Sequence, residues 1–159
     1  MQRLWHLPKT LRRYGRIAEA ALYLAFAATA KRYLGLSKLV KIFGPNQQPP
    51  SAHTIQHQPP SPHTAEKSAF RLRLEAVHYG ELVEAVGSVV PWQTKCLDKA
   101  LAAAMMLKMR SIPFNACLGV AKTVEGKHAW HMWLESGGKI ITGRDESDGF
   151  TLLTRWSRA

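Results

Sequence analysis

The chain has 159 residues, 46% of them hydrophobic, with 22 Lys and Arg against 11 Asp and Glu, a formal net charge of +11. That length holds one domain plus an appendage, and the apolar content excludes a wholly disordered chain. Two cysteines make no disulfide framework, and no apolar run reaches the roughly 18 residues that a membrane-spanning helix requires.

The charge is uneven. Residues 1–50 hold nine Lys and Arg and one acid, Glu19, whereas residues 51–159 hold thirteen against ten. A basic N-terminal third suits an anionic membrane surface, an acidic peptide or a nucleic acid. Residues 1–44 read as a basic amphipathic segment with helices over 9–32 and 36–43. Ala20–Ala30 is almost wholly apolar and is closed by Lys31-Arg32, a length suited to an interface or a core rather than a span. Its late start speaks against a secretory signal.

Residues 45–67 form a Pro-rich linker: six of the nine prolines fall between Pro45 and Pro62, and such stretches are extended. Its histidines, His53, His57 and His63, have nothing to order them as metal ligands. The linker marks a domain boundary, with a folded domain over 68–159. There, apolar residues at 70, 74, 77, 82, 83 and 86 keep helical period, with Ser68 as a cap and Pro91 as a stop. Cys96–Arg110 is a second helix with one apolar face of Leu97, Ala100, Leu101, Ala104, Met105 and Met109. Phe114–Val120 and His128–Glu135 alternate as strands, Ser136-Gly137-Gly138 turns, and Lys139–Thr142 and Phe150–Trp156 complete three or four antiparallel strands. The fold class is α+β.

Cys96 stands where the second helix begins. A helix N-terminus, with free N–H groups and the positive end of the dipole, favours the nucleophilic thiolate form of a cysteine, and Lys95 and Lys99 add positive charge. The competing reading is a buried structural cysteine, which suits Cys117, inside a strand. A cysteine nucleophile needs a base and a group to orient it. His128 and His131 lie three apart on one strand and therefore face opposite sides; period alone does not choose between them. Asp145, Glu146 and Asp148, past the third strand, are candidate orienting acids, equally readable as a solvated loop. Trp92 is readable as an oxyanion donor or as core. The spacing of Cys and two His fits no common zinc pattern.

Pro91-Trp92-Gln93-Thr94-Lys95-Cys96-Leu97-Asp98-Lys99-Ala100-Leu101-Ala102 resembles the nucleophile segment of the lasso-peptide leader peptidases, the microcin-processing type within the transglutaminase-like cysteine protease superfamily. Leu107-Lys108-Met109-Arg110-Ser111-Ile112-Pro113 is similar to their Leu-x-x-Arg-Gly-Ile-Pro, with Ser111 where Gly is usual. Leu118–Lys122, Trp130-His131-Met132-Trp133-Leu134-Glu135-Ser136-Gly137, Ile140–Gly143 and Phe150–Leu153 extend the resemblance over about residues 68–156. It implies a transglutaminase/papain-like cysteine protease core, helices followed by an antiparallel sheet, behind the basic helical segment. It implies Cys96 as nucleophile and His131 as base. Many members carry an Asp about twelve residues after the His; here that place is Gly143, which leaves Asp145 as the nearest acid for the orienting role, with Glu146 or a backbone carbonyl as substitutes. It further implies removal of a leader peptide from a ribosomally made precursor, no cofactor or metal, a separate leader-recognition protein, an ATP-dependent lasso cyclase as partner, and a bacterial cytoplasmic setting, with the basic arm available to the inner membrane surface. Two other readings stand beside it: transglutaminase-like amide transfer on a peptide, and a non-enzymatic basic binding protein. No base-reading motif supports a nucleic-acid partner.

Overall fold

The computed structural model describes residues 9–34, 36–44, 46–48 and 64–158; most of the Pro-rich linker, with His53, His57 and His63, lies outside the described residues. Helix α1 spans Lys9–Tyr33, a short α2 Leu36–Leu39 continues as a 3-10 turn over Val40–Ile42, and strand β1 is Asn46–Gln48. Then come α3 (Thr64–Val89), α4 (Cys96–Lys108), β2 (Phe114–Lys122), β3 (His128–Ser136), β4 (Lys139–Thr142), the single-turn α5 (Arg144–Ser147) and β5 (Thr151–Arg158). The fold is thus α+β, with an antiparallel sheet ordered β1-β5-β2-β3-β4. Two local expectations change. Helix α3 begins at Thr64, so Ser68 lies inside it and is not its cap. The start of the Pro-rich stretch supplies a fifth strand, because Asn46–Gln48 finds the free edge of β5, where backbone pairing outweighs a composition poor in strand formers.

Helix α4 is the centre of the core. One apolar face was expected of it, yet Ala100 to Ala104, Met106 and Leu107 are buried nearly all the way round, the pattern of a helix covered on every side. The sheet covers one side through β2, β3 and β4, α3 covers another, and α1 covers the rest. The apolar run of α1 makes that cover: Ala20, Leu24, Ala27 and Ala30 belong to the same core cluster as Leu101 and Leu134. Each buried Leu or Met contributes about 1.5–3 kcal/mol of apolar burial. Glu19 and Arg110 clamp the same seam with paired hydrogen bonds, Nη1 to Oε1 at 2.9 Å and Nη2 to Oε2 at 2.5 Å, while Arg110 also lies over the Tyr79 ring at 4.3 Å.

Two close approaches set the layers. Gly80 on α3 lies against β4 so tightly that a Cβ there would sit 2.1 Å from the Ile141 carbonyl oxygen; only glycine permits that crossing. Helix α4 ends with Ser111 N–H donating to Lys108 O at 3.2 Å and Ile112 N–H to Leu107 O at 3.0 Å. Those are the two bonds of a Schellman ending, and Ser111 takes its left-handed position at φ +53°.

Candidate active site

Pro91 closes α3 and the chain runs extended to Lys95 (φ −106°, ψ 167°), which caps α4. Thr94 Oγ1 donates to Gly87 O at 3.0 Å and fastens that approach to α3. Cys96 is then the first residue of α4 and is half-buried, at a position whose N–H has no acceptor inside the helix. Two residues on, Asp98 is completely buried and accepts the Lys95 N–H at 2.9 Å and Lys31 Nζ at 2.6 Å, both on Oδ2. The helix start is held from within by its own third residue and from outside by α1.

Strand β3 separates its two histidines as alternation requires. His128 is exposed, whereas His131 is 2% exposed. The His131 ring stacks on Trp133 at 6.0 Å between centroids and lies 5.2 Å from Phe150. Opposite it in the register stands Gly119, where a Cβ would press within 2.9 Å of the Trp133 ring. The imidazole is thus confined by aromatic neighbours, and Nε2 lies 2.9 Å from the Gly143 carbonyl oxygen. A carbonyl only accepts, so Nε2 carries the proton of the neutral ring and Nδ1 is its basic nitrogen. Gly143 occupies φ +70°, ψ 27°, and a Cβ there would lie 2.8 Å from Nε2. Any side chain at this place would displace the ring it supports.

Cys96 and His131 both line one cavity of about 640 Å³, together with Val77, Glu81, Glu84, Lys99 and Gly143 among others. Lys99 does not stand as a free positive charge beside Cys96, as the sequence suggested. Its Nζ is 2.6 Å from Glu84 Oε2, and the carboxylate offsets it. Asp145 and Glu146 belong to α5, and their side chains lie outside the described residues. Asp148 is exposed and is not in the cavity wall. Trp92 packs on the core; its Nε1 is buried without a hydrogen-bond partner among the described residues, and it does not line the cavity either. Cys117 is the structural cysteine: it is fully buried in β2, and burial, then the nearby Glu135 carboxylate, push its thiol up to about 12. Glu84 was not singled out by any sequence signal; it is one acid on an amphipathic helix, and only the crossing at Gly80 brings it to the site. Among the described residues no group of His, Cys, Asp and Glu is arranged to hold a metal ion, and no helix is long and apolar enough to cross a membrane.

A cysteine on the first turn of a central helix and a buried, oriented histidine on the adjoining sheet, opening on one cavity, are the parts that thiol-dependent acyl transfer uses. The model of the Transglutaminase-like superfamily matches residues 20–155. The chain belongs to that superfamily, which includes cysteine peptidases and transferases. The match begins within α1, the helix that completes the core around α4. Comparison with curated proteins and with solved structures gave no match.

Proposed function

We propose that this protein is a cysteine peptidase that removes the leader from a ribosomally made lasso-peptide precursor, with Cys96 as nucleophile and His131 as base. The observation that carries the chemistry is the shared cavity of Cys96 and His131, with the imidazole locked by the Gly143 carbonyl so that Nδ1 is its proton-accepting nitrogen. The substrate class rests on the resemblance of residues 91–113 and 130–137 to the leader peptidases.

The Cys96 sulfur, its proton taken by His131, attacks the carbonyl at the leader–core junction. The imidazolium returns that proton to the departing core amine as the C–N bond breaks, leaving a leader thioester on Cys96. His131 then takes a proton from water, whose oxygen attacks the thioester. The leader leaves as a carboxylic acid and Cys96 regains its proton. A separate recognition protein presents the leader, and an ATP-dependent cyclase takes the freed core amine, in the cytoplasm. The basic end of α1, with Arg12, Arg13 and Arg16, faces these partners or the inner membrane surface. Since Ala20, Leu24, Ala27 and Ala30 lie in the core, docking is tested by Arg12→Glu with Arg13→Glu rather than by deleting the helix; unchanged complex formation and vesicle binding would refute it.

The test of function is the product mass after incubation of the precursor and its recognition protein with wild type or Cys96→Ala. Free core and a leader acid with wild type only are expected. A conjugate of the leader with an amine would instead assign amide transfer, and an intact precursor in both would reject the substrate.

A further inference from the structure

The place twelve residues after His131 is Gly143, and its backbone oxygen lies 2.9 Å from the imidazole Nε2. A backbone acceptor is only as well aimed as the loop that carries it, and Gly143 sits between the end of β4 and the one-turn α5. The only side chain recorded as bonding the Gly143 N–H among the described residues is Glu84: Oε1 accepts it at 2.9 Å, while Oε2 accepts Lys99 Nζ at 2.6 Å.

We infer that Glu84 is a positioning residue, whose carboxylate aims the Gly143 carbonyl at His131 and ties it to the helix that carries Cys96. The geometry comes from the fold. Gly80 brings α3 into contact with the Ile141 backbone. Glu84 follows one helical turn later on the same face, and Gly143 follows two residues after Ile141, so carboxylate and amide meet. Lys99 lies one turn beyond Cys96 on α4, where residues three or four apart share a face. One carboxylate therefore spans three elements: α3 that bears it, α4 with the nucleophile, and the loop that orients the base. The effect of Glu84 on proton transfer passes through the position of Gly143, whose N–H its Oε1 accepts. A carboxylate that receives two hydrogen bonds, one of them charge-assisted, is a firm strut.

This inference rests on the Cys96–His131 reading, and the experiment separates the two. The rate of Cys96 alkylation by iodoacetamide, mapped by peptide mass on the full chain between about pH 5 and 9, spans the range where histidine changes charge. Wild type, His131→Ala, Glu84→Met and Glu84→Gln are compared. Met fills the volume and accepts nothing useful; Gln keeps an oxygen for the Gly143 N–H. Losing a hydrogen bond that holds a reacting group corresponds to about tenfold in rate. Glu84→Met should slow alkylation at neutral pH by about that factor, with a profile displaced toward that of His131→Ala. Glu84→Gln should stay within about twofold of wild type. A structural strut alone would lower the melting temperature of Glu84→Met and leave the pH profile in place; that outcome overturns the inference while the dyad stands. Should Glu84→Met not fold, Glu84→Ala, which leaves water to satisfy the amide, is read against the same expectations. If His131→Ala itself leaves the profile unchanged, there is no Cys–His pair and both readings fall.

Discussion

Lys31 Nζ lies 2.6 Å from Asp98 Oδ2, joining the end of α1 to the first turn of the helix that carries Cys96. Asp98 is completely buried while Lys31 keeps about a third of its side chain in water, so the pair is asymmetric. The lysine stays partly hydrated, and the carboxylate depends on its two donors. The same oxygen accepts the Lys95 N–H, one of the amides a helix start leaves open. Asp98→Ala removes the cap and the ion pair together and should cost about 2–3 kcal/mol. Lys31→Met leaves the cap bond in place but strips a completely buried carboxylate of its counter-charge, and should cost at least as much. Urea denaturation of both variants checks the order; a Lys31→Met loss well below that of Asp98→Ala would mean that the cap, not the ion pair, holds α4.

Ser111 holds a left-handed conformation, φ +53°, at the position where the resembled motif has glycine. Left-handed backbone costs a residue with a side chain about 1–2 kcal/mol, and glycine gives back about 0.5–1 kcal/mol in unfolded-state freedom. Ser111→Gly should therefore stabilise the protein by about 0.5 kcal/mol. A lower denaturation midpoint in Ser111→Gly would show that the serine makes a compensating contact.

Gly143→Ala places a Cβ 2.8 Å from His131 Nε2 and on a backbone of φ +70°. The ring or the loop has to move. Processing activity should fall by at least tenfold, with a stability loss of about 1–2 kcal/mol. Asp145→Asn is the companion variant. Unimpaired processing in Asp145→Asn together with loss in Gly143→Ala would assign the orienting role to the backbone; the reverse would return it to the acid.

Cys117 gives a pH dependence with a definite sign. Burial and then the Glu135 charge raise its thiol from 9.0 to about 12. Below pH 9.0 the thiol is protonated in both states and its contribution is fully present. Above that the unfolded chain releases the proton and the folded chain keeps it, so this one group lowers stability by about 1.4 kcal/mol per pH unit until the folded thiol also ionises. Cys117→Ala should have a shallower decline in unfolding free energy above pH 9.0, whatever its absolute stability. Parallel slopes for the two proteins would contradict it. At neutral pH iodoacetamide should label Cys96 in the folded chain and spare Cys117.

Much of the fold was legible in the sequence because periodicity is local. Helices α1 to α4 and strands β2 to β5 stand within a few residues of where alternation and helical spacing put them. The separation of His128 from His131 followed from strand geometry alone. What stayed hidden is non-local. Strand β1 depends on a free edge of β5, not on its own residues. The burial of α4 on all sides depends on α1 coming back across it. The link from Glu84 through Gly143 to His131 depends on one close crossing at Gly80, which reads in sequence only as a glycine inside a helix. Asp145 is the acid nearest along the chain, and its side chain lies outside the described residues; the contact of Gly143 O with His131 Nε2 comes from the backbone, which no side-chain pattern reveals.

The most direct measurement traps the acyl-enzyme. The precursor and its recognition protein are mixed with excess wild-type protein, quenched in acid during the first turnover, and the adduct is mapped by peptide mass. The expected result is the leader, less one water, bound as a thioester to Cys96, with no adduct and no free core from Cys96→Ala. Core released by Cys96→Ala at the wild-type rate, or a leader adduct mapped to any other residue, would contradict a Cys96-centred peptidase.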